Sequence, residues 1–367
     1  MIRTSSQIDV LIVGAGAAGL VAAIRARELG ASVLVLEGTD HIGSKLLMAG
    51  GGRCNLTHRE VSEVDYAGSA PDLIRAVLEG FSAKDTVRFF EKLGIRTAFE
   101  KDARGFPSTG KSGNVQEALV RRATESGAEI RAGRKVEEIS FDAGVFHTKG
   151  RGFIEKSRTV LITTGGLSYP HTGSDGSGYK LARHFGHTIV PTTPALVPLC
   201  DASGRWKALS GIAFPVRLML SPLGTVPASK DDHRGDSPHD HLGDSPKNPP
   251  QPVPKTPLSL SLLFTHFGFS GPAALDLSRY WLGCRRVEKA RKTRVVVIAN
   301  FCPETNRQIL EQKLLASARK NRAATIGRFL SGLRPRRFVE VILKMAKVAP
   351  GARLGQLKEE ERERIWG

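Results

Sequence analysis

The chain has 367 residues, 40% of them hydrophobic, with 39 glycines, four cysteines and a formal net charge of +18. That length suits two or three domains, and a near-globular apolar fraction with no G-X-Y period excludes a collagen-like or wholly disordered chain. The longest apolar runs, Val10–Val13 and Val295–Ala299, are strand-sized, which excludes a transmembrane helix of ~20 apolar residues.

No secretory signal is evident at the N-terminus. Its one apolar run leads into a glycine turn, not a small-residue cleavage site. Cys54, Cys200, Cys284 and Cys302 lie far apart with no CxxC spacing. Neither a disulfide framework nor a zinc site is expected, and the cytoplasm is the default location. Charge is uneven: Trp281–Gly367 carries 21 Lys and Arg against 8 Asp and Glu. Such a field attracts anions. Without interleaved aromatics or a nucleic-acid module it reads as a solvated basic helical surface, and a nucleic-acid partner is not expected.

Ile8–Val13 reads as a buried parallel strand, Ala17–Leu29 as a helix stopped by Gly30, and Ser32–Leu36 as a second buried strand. The opening is thus a βαβ unit. Leu73–Glu79, Lys84–Leu93 and Val115–Ser126 have helical spacing. Glu129–Arg131, Lys135–Ile139 and Val145–Thr148 read as strands, and Thr159–Thr163 as a buried strand running into glycines. Prolines recur from Pro191, and a domain boundary is placed there. Val216–Leu220, Leu262–Thr265 and Arg294–Ala299 read as strands, and Asn306–Lys320 and Arg336–Lys347 as helices, followed by charged Leu357–Arg364. Ser221–Pro257, with GDSP at Gly235 and again at Gly243, has too little apolar surface to offset ordering entropy and is expected to be disordered. Its His239, Asp240 and His241 lack supporting groups, so no metal is expected.

Gly14-Ala15-Gly16-Ala17-Ala18-Gly19 is a G-x-G-x-x-G between a strand and a helix, and Glu37 ends the next strand. In that context the motif points to a dinucleotide. Gly14 permits the turn, Gly16 lets a pyrophosphate approach, and Gly19 lets the helix pack close. Glu37 suits ribose hydroxyls and repels a 2′-phosphate, which leaves FAD or NAD. The glycine-dense Gly43–Asn55 segment that follows suits a flavin better than an NAD domain, where a regular helix is usual.

At these residues the sequence resembles the YhiN-like FAD flavoproteins, also known as the aminoacetone-oxidase type. The shared blocks are VGAGAAG at Val13–Gly19, GSKLLMAGGGRCNLTH at Gly43–His58, RGFPSTGKSGNV at Arg104–Val115, TTGGLSYPHTGSDGSGYKLARHFGH at Thr163–His187, PALVPL at Pro194–Leu199 and LLFTHFGFSGPAALDLS at Leu262–Ser278. The resemblance implies an α/β chain, with a Rossmann-like FAD-binding domain (1–190), an inserted β-rich substrate domain (191–303) and a small basic helical domain (304–367). It implies that Gly14, Gly16, Ala17, Ala18, Gly19 and Glu37 hold the ADP half. Lys45, Gly51, Gly52, Arg53, Cys54 and Asn55 would lie along the diphosphate and flavin. Val136 would pair with adenine, and Thr164 and Gly165 would line the same cleft. Family members end with a strand and a glycine-rich GE…D…GGYN segment against the flavin. Nothing similar follows here, so the chain is expected to be shortened by roughly a sixth, with weakened FAD binding.

Flavin carries its own hydride chemistry, so no triad is required. Cys54 beside Arg53 is either a thiol of depressed pKa or, in preference, a packing residue. Tyr169 and His171 follow the second glycine cluster and are candidate proton donor and acceptor. His266 precedes Gly268-Phe269-Ser270-Gly271-Pro272 and either faces substrate or stabilises the turn. The sequence reads as an FAD-dependent oxidoreductase acting on a small organic substrate, with NAD(P)H as a transient donor or O₂ as an acceptor. A non-catalytic remnant and a basic nucleic-acid-associated flavoprotein are the alternatives.

Overall fold

The computed structural model describes residues 8–66, 70–222, 258–291 and 295–366. Apart from its first two residues, the 221–257 expectation lies outside them, as do His239, Asp240 and His241. Two compact units are present: one runs to Pro191, the other from Thr192 onward.

In the first unit β1 (Ile8–Val13), α1 (Ala17–Glu28) and β2 (Val33–Leu36) form the opening βαβ. After them come α2 (Ser44–Gly52), β3 (Thr57–His58), α3 (Pro71–Gly80), α4 (Ala83–Lys92), β4 (Thr97–Phe99), β5 (Arg104–Pro107) and α5 (Ser112–Glu125). Then β6 (Glu129–Arg131), β7 (Val136–Asp142), β8 (Val145–Gly150), β9 (Phe153–Ile162) and α6 (Ser177–His184) complete the unit. The main sheet runs β6-β2-β1-β9-β8-β7. Its first four strands are parallel, and β9, β8 and β7 form an antiparallel meander.

Strand alternation explains why both faces are covered. Ile12, Val33 and Val35 pack with Leu20, Ala23 and Ile24 of α1 and Val115 and Leu119 of α5. On the other face Leu11, Val13, Leu34 and Leu36 meet Val136, Ile139 and Leu181. The alanines of α1 let it lie close to the strands. A three-stranded sheet, β3-β5-β4, stands apart from the main one.

Two expectations are corrected. Gly43–Asn55 opens as a true helix, because Ser44–Met48 are good helix formers, and only then breaks. Ala49 is extended (φ −58°, ψ 141°), and Gly50 and Gly51 are left-handed. The strand at Thr159–Thr163 is not buried: β9 begins at Phe153, and its Ile154, Lys156, Arg158 and Leu161 are exposed. β8 pairs only with Phe153–Ser157, while β1 pairs along to Ile162.

The second unit holds β10 (Leu199–Cys200), β11 (Ala213–Pro222), β12 (Leu258–Thr265), β13 (Gly268–Ser270), α7 (Gly271–Arg291) and β14 (Val295–Asn300), then α8 (Arg307–Lys320), α9 (Ile326–Ser331), α10 (Arg336–Met345) and α11 (Glu359–Trp366). Its antiparallel sheet runs β10-β13-β12-β11-β14. Phe214, Phe264, Leu277 and Phe338 share one core, and Leu314, Ile326, Leu330 and Leu343 another beneath the helices. α7 is a helix that hydrophobic spacing alone does not announce. It is fixed by Ala273, Ala274 and Leu277, all fully buried.

A Cβ at Gly19 would lie 1.9 Å from the Gly14 carbonyl oxygen and 2.8 Å from Thr163 Oγ1. Gly19→Ala must therefore move backbone, and it is expected to destabilise the chain by about 1–3 kcal/mol. Urea unfolding checks this: an unchanged midpoint would refute the close packing of α1.

Candidate dinucleotide site

The turn after β1 is built on one close approach. Gly14 N–H donates to Leu36 O (2.8 Å), and Thr163 N–H donates to Val13 O (2.8 Å). Thr163 Oγ1 donates to Gly14 O (2.8 Å). Gly14 has φ +105°, and a Cβ on it would lie 2.7 Å from Thr163 O. Only glycine fits. Gly16 is the opposite case: its φ is ordinary (−77°), and a Cβ there would meet nothing within 4 Å. α1 starts at the next residue with no side-chain cap and no acid in its first turn. Free N–H groups and the positive end of a helix thus face open space, which is a ready seat for an anion.

Glu37, at the end of β2, turns back toward this seat. Its carboxylate accepts from Ala15 N–H (2.8 Å), Thr39 N–H (2.9 Å) and Thr39 Oγ1 (2.9 Å). A carboxylate offers about four acceptor sites, so room for a ribose hydroxyl remains.

These groups border a cavity of ≈ 390 Å³, within the usual range of about 300–1,000 Å³ for ligand sites. Of the residues singled out in the sequence, Gly14, Gly16, Ala17, Ala18 and Glu37 line it, with Lys45, Cys54, Asn55, Val136, Thr164 and Gly165. Four others stand outside the lining. Gly19 is spent on helix packing, and Gly51 and Gly52 belong to the left-handed stretch where α2 breaks. The Arg53 guanidinium sits 4.0 Å from the centre of the Phe106 ring and pairs with Glu100 (2.6 Å). Tyr169 and His171 also lie outside, exposed and edge-to-face at 5.7 Å. Tyr169 is left-handed (φ +54°), and His171 Nε2 is 3.4 Å from Met48 Sδ. His266 is in the second unit, exposed in the turn between β12 and β13, with its ring 4.9 Å from that of Phe267.

The sequence reading did not single out Thr39, Arg134, Lys135 or the Thr172–Asp175 strap, all of which line the cavity. The clue lay in TGSDGSG: Gly173 and Gly176 are both left-handed, which folds the segment back across the cleft. Lys135 Nζ and Asp175 Oδ2 pair at 2.9 Å. That bond, with hydrogen bonds from Ser177, holds the Asp175 carboxyl well below the usual carboxylate range.

Burial pushes the Cys54 thiol up, which rules against a thiol of depressed pKa and leaves the packing role. Asn55, with its amide nitrogen turned to the small sheet, donates to Gly105 O (3.0 Å) and Thr57 O (2.8 Å). Burial pushes the Lys45 ammonium down.

Four parallel strands with an open glycine turn, an uncapped helix and an acid after the next strand define a Rossmann-type dinucleotide-binding protein. The HI0933-like protein Rossmann domain matches residues 8–332. The chain belongs to this family of FAD-dependent oxidoreductases, as the GGGRCN and FTHFGFSGP blocks imply. It is 29% identical over 351 residues to the 3-dehydro-bile acid delta(4,6)-reductase of Clostridium scindens, covering 95% of this chain and 77% of that protein. It is 31% identical over 290 residues to the ribosomal RNA dihydrouridine synthase of Haemophilus influenzae, covering 77% and 64% respectively. The synthase of that name from Escherichia coli is 29% identical over 278 residues, covering 75% and 61%. The chain thus spans less than two thirds of either synthase. Among the described residues no helix is long and apolar enough to cross a membrane, and no group of three His, Cys, Asp or Glu is placed to hold a metal.

Asp175→Asn tests the strap. A carboxyl of depressed pKa stabilises the fold above its unfolded value and loses that contribution as the pH falls through its folded value. The variant should melt below the parent at neutral pH, with the gap narrowing as the pH drops below about 4. A gap that does not change with pH would contradict the ion pair.

Proposed function

We propose that this chain binds FAD in the cleft and uses it to saturate a carbon–carbon double bond activated by a neighbouring carbonyl. The open space over Gly16, at an uncapped helix end, is the observation that carries the reading. The residues suit the group. Ala17 and Ala18 N–H face the diphosphate seat, Glu37 the ribose, and Val136 the adenine side. Lys45, Cys54, Asn55, Thr164 and Gly165 are left for the flavin half. When bound, FAD supplies hydride transfer at N5. The protein's task is then to hold the double bond against the ring, exclude water and deliver one proton to the second carbon. Tyr169 and His171 are the candidate proton carriers. The relatives' names support this direction of reaction: a delta(4,6)-reductase of a 3-dehydro-bile acid and a synthase of dihydrouridine both saturate such a bond. The sequence has no second G-x-G-x-x-G, so a nicotinamide donor would dock transiently.

The substrate is either a small enone or a base in RNA. The net charge of +18, concentrated beyond Trp281, favours the second as an alternative. One experiment addresses both. The purified chain should carry about one FAD per protein, released and identified by chromatography. Under anaerobic conditions the reduced protein should be reoxidised by a cyclic enone or by a uridine-containing RNA. Whichever substrate reoxidises it, and gains two hydrogens by mass, identifies the class. A chain that takes up no FAD, or reduced FAD that neither compound reoxidises, would overturn the proposal.

A further inference from the structure

We propose that Lys45 acts directly on the flavin, its ammonium beside the isoalloxazine as the fixed positive charge against which the ring is reduced. This rests on FAD occupying the cleft.

Strand order gives the direction. Glu37 ends β2, the open glycine turn ends β1, and Thr164 and Gly165 follow β9, in that order across the sheet. A dinucleotide lies across the carboxyl ends of such strands. With its ribose at β2 and its diphosphate at β1, its other half extends toward β9. Lys45 reaches that end from α2. Its Nζ is 3.5 Å from Ser168 Oγ and 3.7 Å from where a Cβ on Gly165 would sit. Gly165 is left-handed (φ +77°), and a Cβ there would lie 2.3 Å from Ser174 Oγ, so the loop and the strap close together next to the ammonium.

The other charged groups that line the cavity each have a partner of some kind. Glu37 is held by three donors, and Asp175 is paired with Lys135. Arg134 stands over the Phe153 ring on β9. Lys45 makes no ion pair among the described residues; its one polar contact there is the long one to Ser168. It is partly buried, and burial lowers its pKa, so an anion beside it would be favoured. The diphosphate already has the end of α1. The flavin gains negative charge at its N1–C2 carbonyl edge on two-electron reduction. A preorganised cation there stabilises the reduced ring more than the oxidised one. A lysine bound to diphosphate would stabilise both states equally.

That difference is the test, and it needs no turnover. Lys45→Gln and Lys45→Arg are made in the full chain and loaded with FAD. The affinity for oxidised FAD is read by fluorescence quenching, and the midpoint potential by dye equilibration. Lys45→Gln should bind oxidised FAD near the parent's affinity yet favour the reduced form at least tenfold less, a drop of about 30 mV for a two-electron couple. Lys45→Arg, which keeps the charge, should restore most of that drop. A tenfold loss of oxidised FAD affinity with an unchanged potential would make Lys45 a phosphate ligand and overturn the proposal. So would a Lys45→Gln protein matching the parent in both measurements. Failure of the parent itself to take up FAD would overturn the cleft reading beneath it, a result distinct from the other two.

Discussion

The arrangement of the cleft depends on a contact that only a hydrogen atom can make. At Gly14 the turn after β1 passes so close to the Thr163 carbonyl that a Cβ would lie 2.7 Å from it. At Gly19 the first turn of α1 touches the Gly14 carbonyl in the same way. These two approaches lock β1, β9 and the start of α1 together through Thr163, whose hydroxyl donates to Gly14 O and whose N–H donates to Val13 O. Gly16, between them, is left facing empty space. Rigid backbone on either side and an unfilled seat in the middle amount to preorganisation: the N–H groups are aimed before any ligand arrives.

Electrostatics follows from that geometry. The helix end supplies positive potential without a side chain. Glu37 is restrained by Ala15 and Thr39, so it can present an oxygen to a ribose without collapsing onto the helix end. The strap after β9 crosses the cleft and is tied to β7 through Lys135 and Asp175. Lys45 stands at the far end with no ion pair among the described residues. Among the described residues most other cations stand on exposed surface, where an ion pair contributes little to stability, and their effect is a long-range field.

Much of this was legible in the sequence because it rests on local rules. Ile8–Val13 and Glu129–Arg131 are strands over just those residues, and α1 starts after Gly16 where the motif places it. Buried parallel strands read as short apolar runs, and glycine spacing marks close backbone approach. What escaped depended on distant partners. Thr39, Lys135 and Asp175 reach the cleft only because Gly173 and Gly176 turn the strap back, a tertiary event with no period. α7 is pinned by burial of Ala273, Ala274 and Leu277 under a sheet, which its own pattern cannot announce. β9 read as buried because Val160, Leu161 and Ile162 are apolar, yet Leu161 is exposed and only Val160 and Ile162 are partly covered, which depends on what packs on each face and not on the run itself. Cys54 shows the same limit: the charge beside it in sequence, Arg53, is turned away onto Phe106 and Glu100.

The central claim is that the empty space over Gly16 is the seat of the FAD diphosphate. Gly16→Val tests it directly, because a Cβ there has no atom of the protein within 4 Å and the backbone there is one that valine readily adopts. Titration of the purified variant with FAD, beside urea unfolding of both proteins, is the measurement. The variant should unfold at a midpoint near the parent's and bind FAD at least about a hundredfold more weakly, since a wedge in the seat removes charge-assisted bonds from several N–H groups. A folded Gly16→Val protein that binds FAD as tightly as the parent would contradict it.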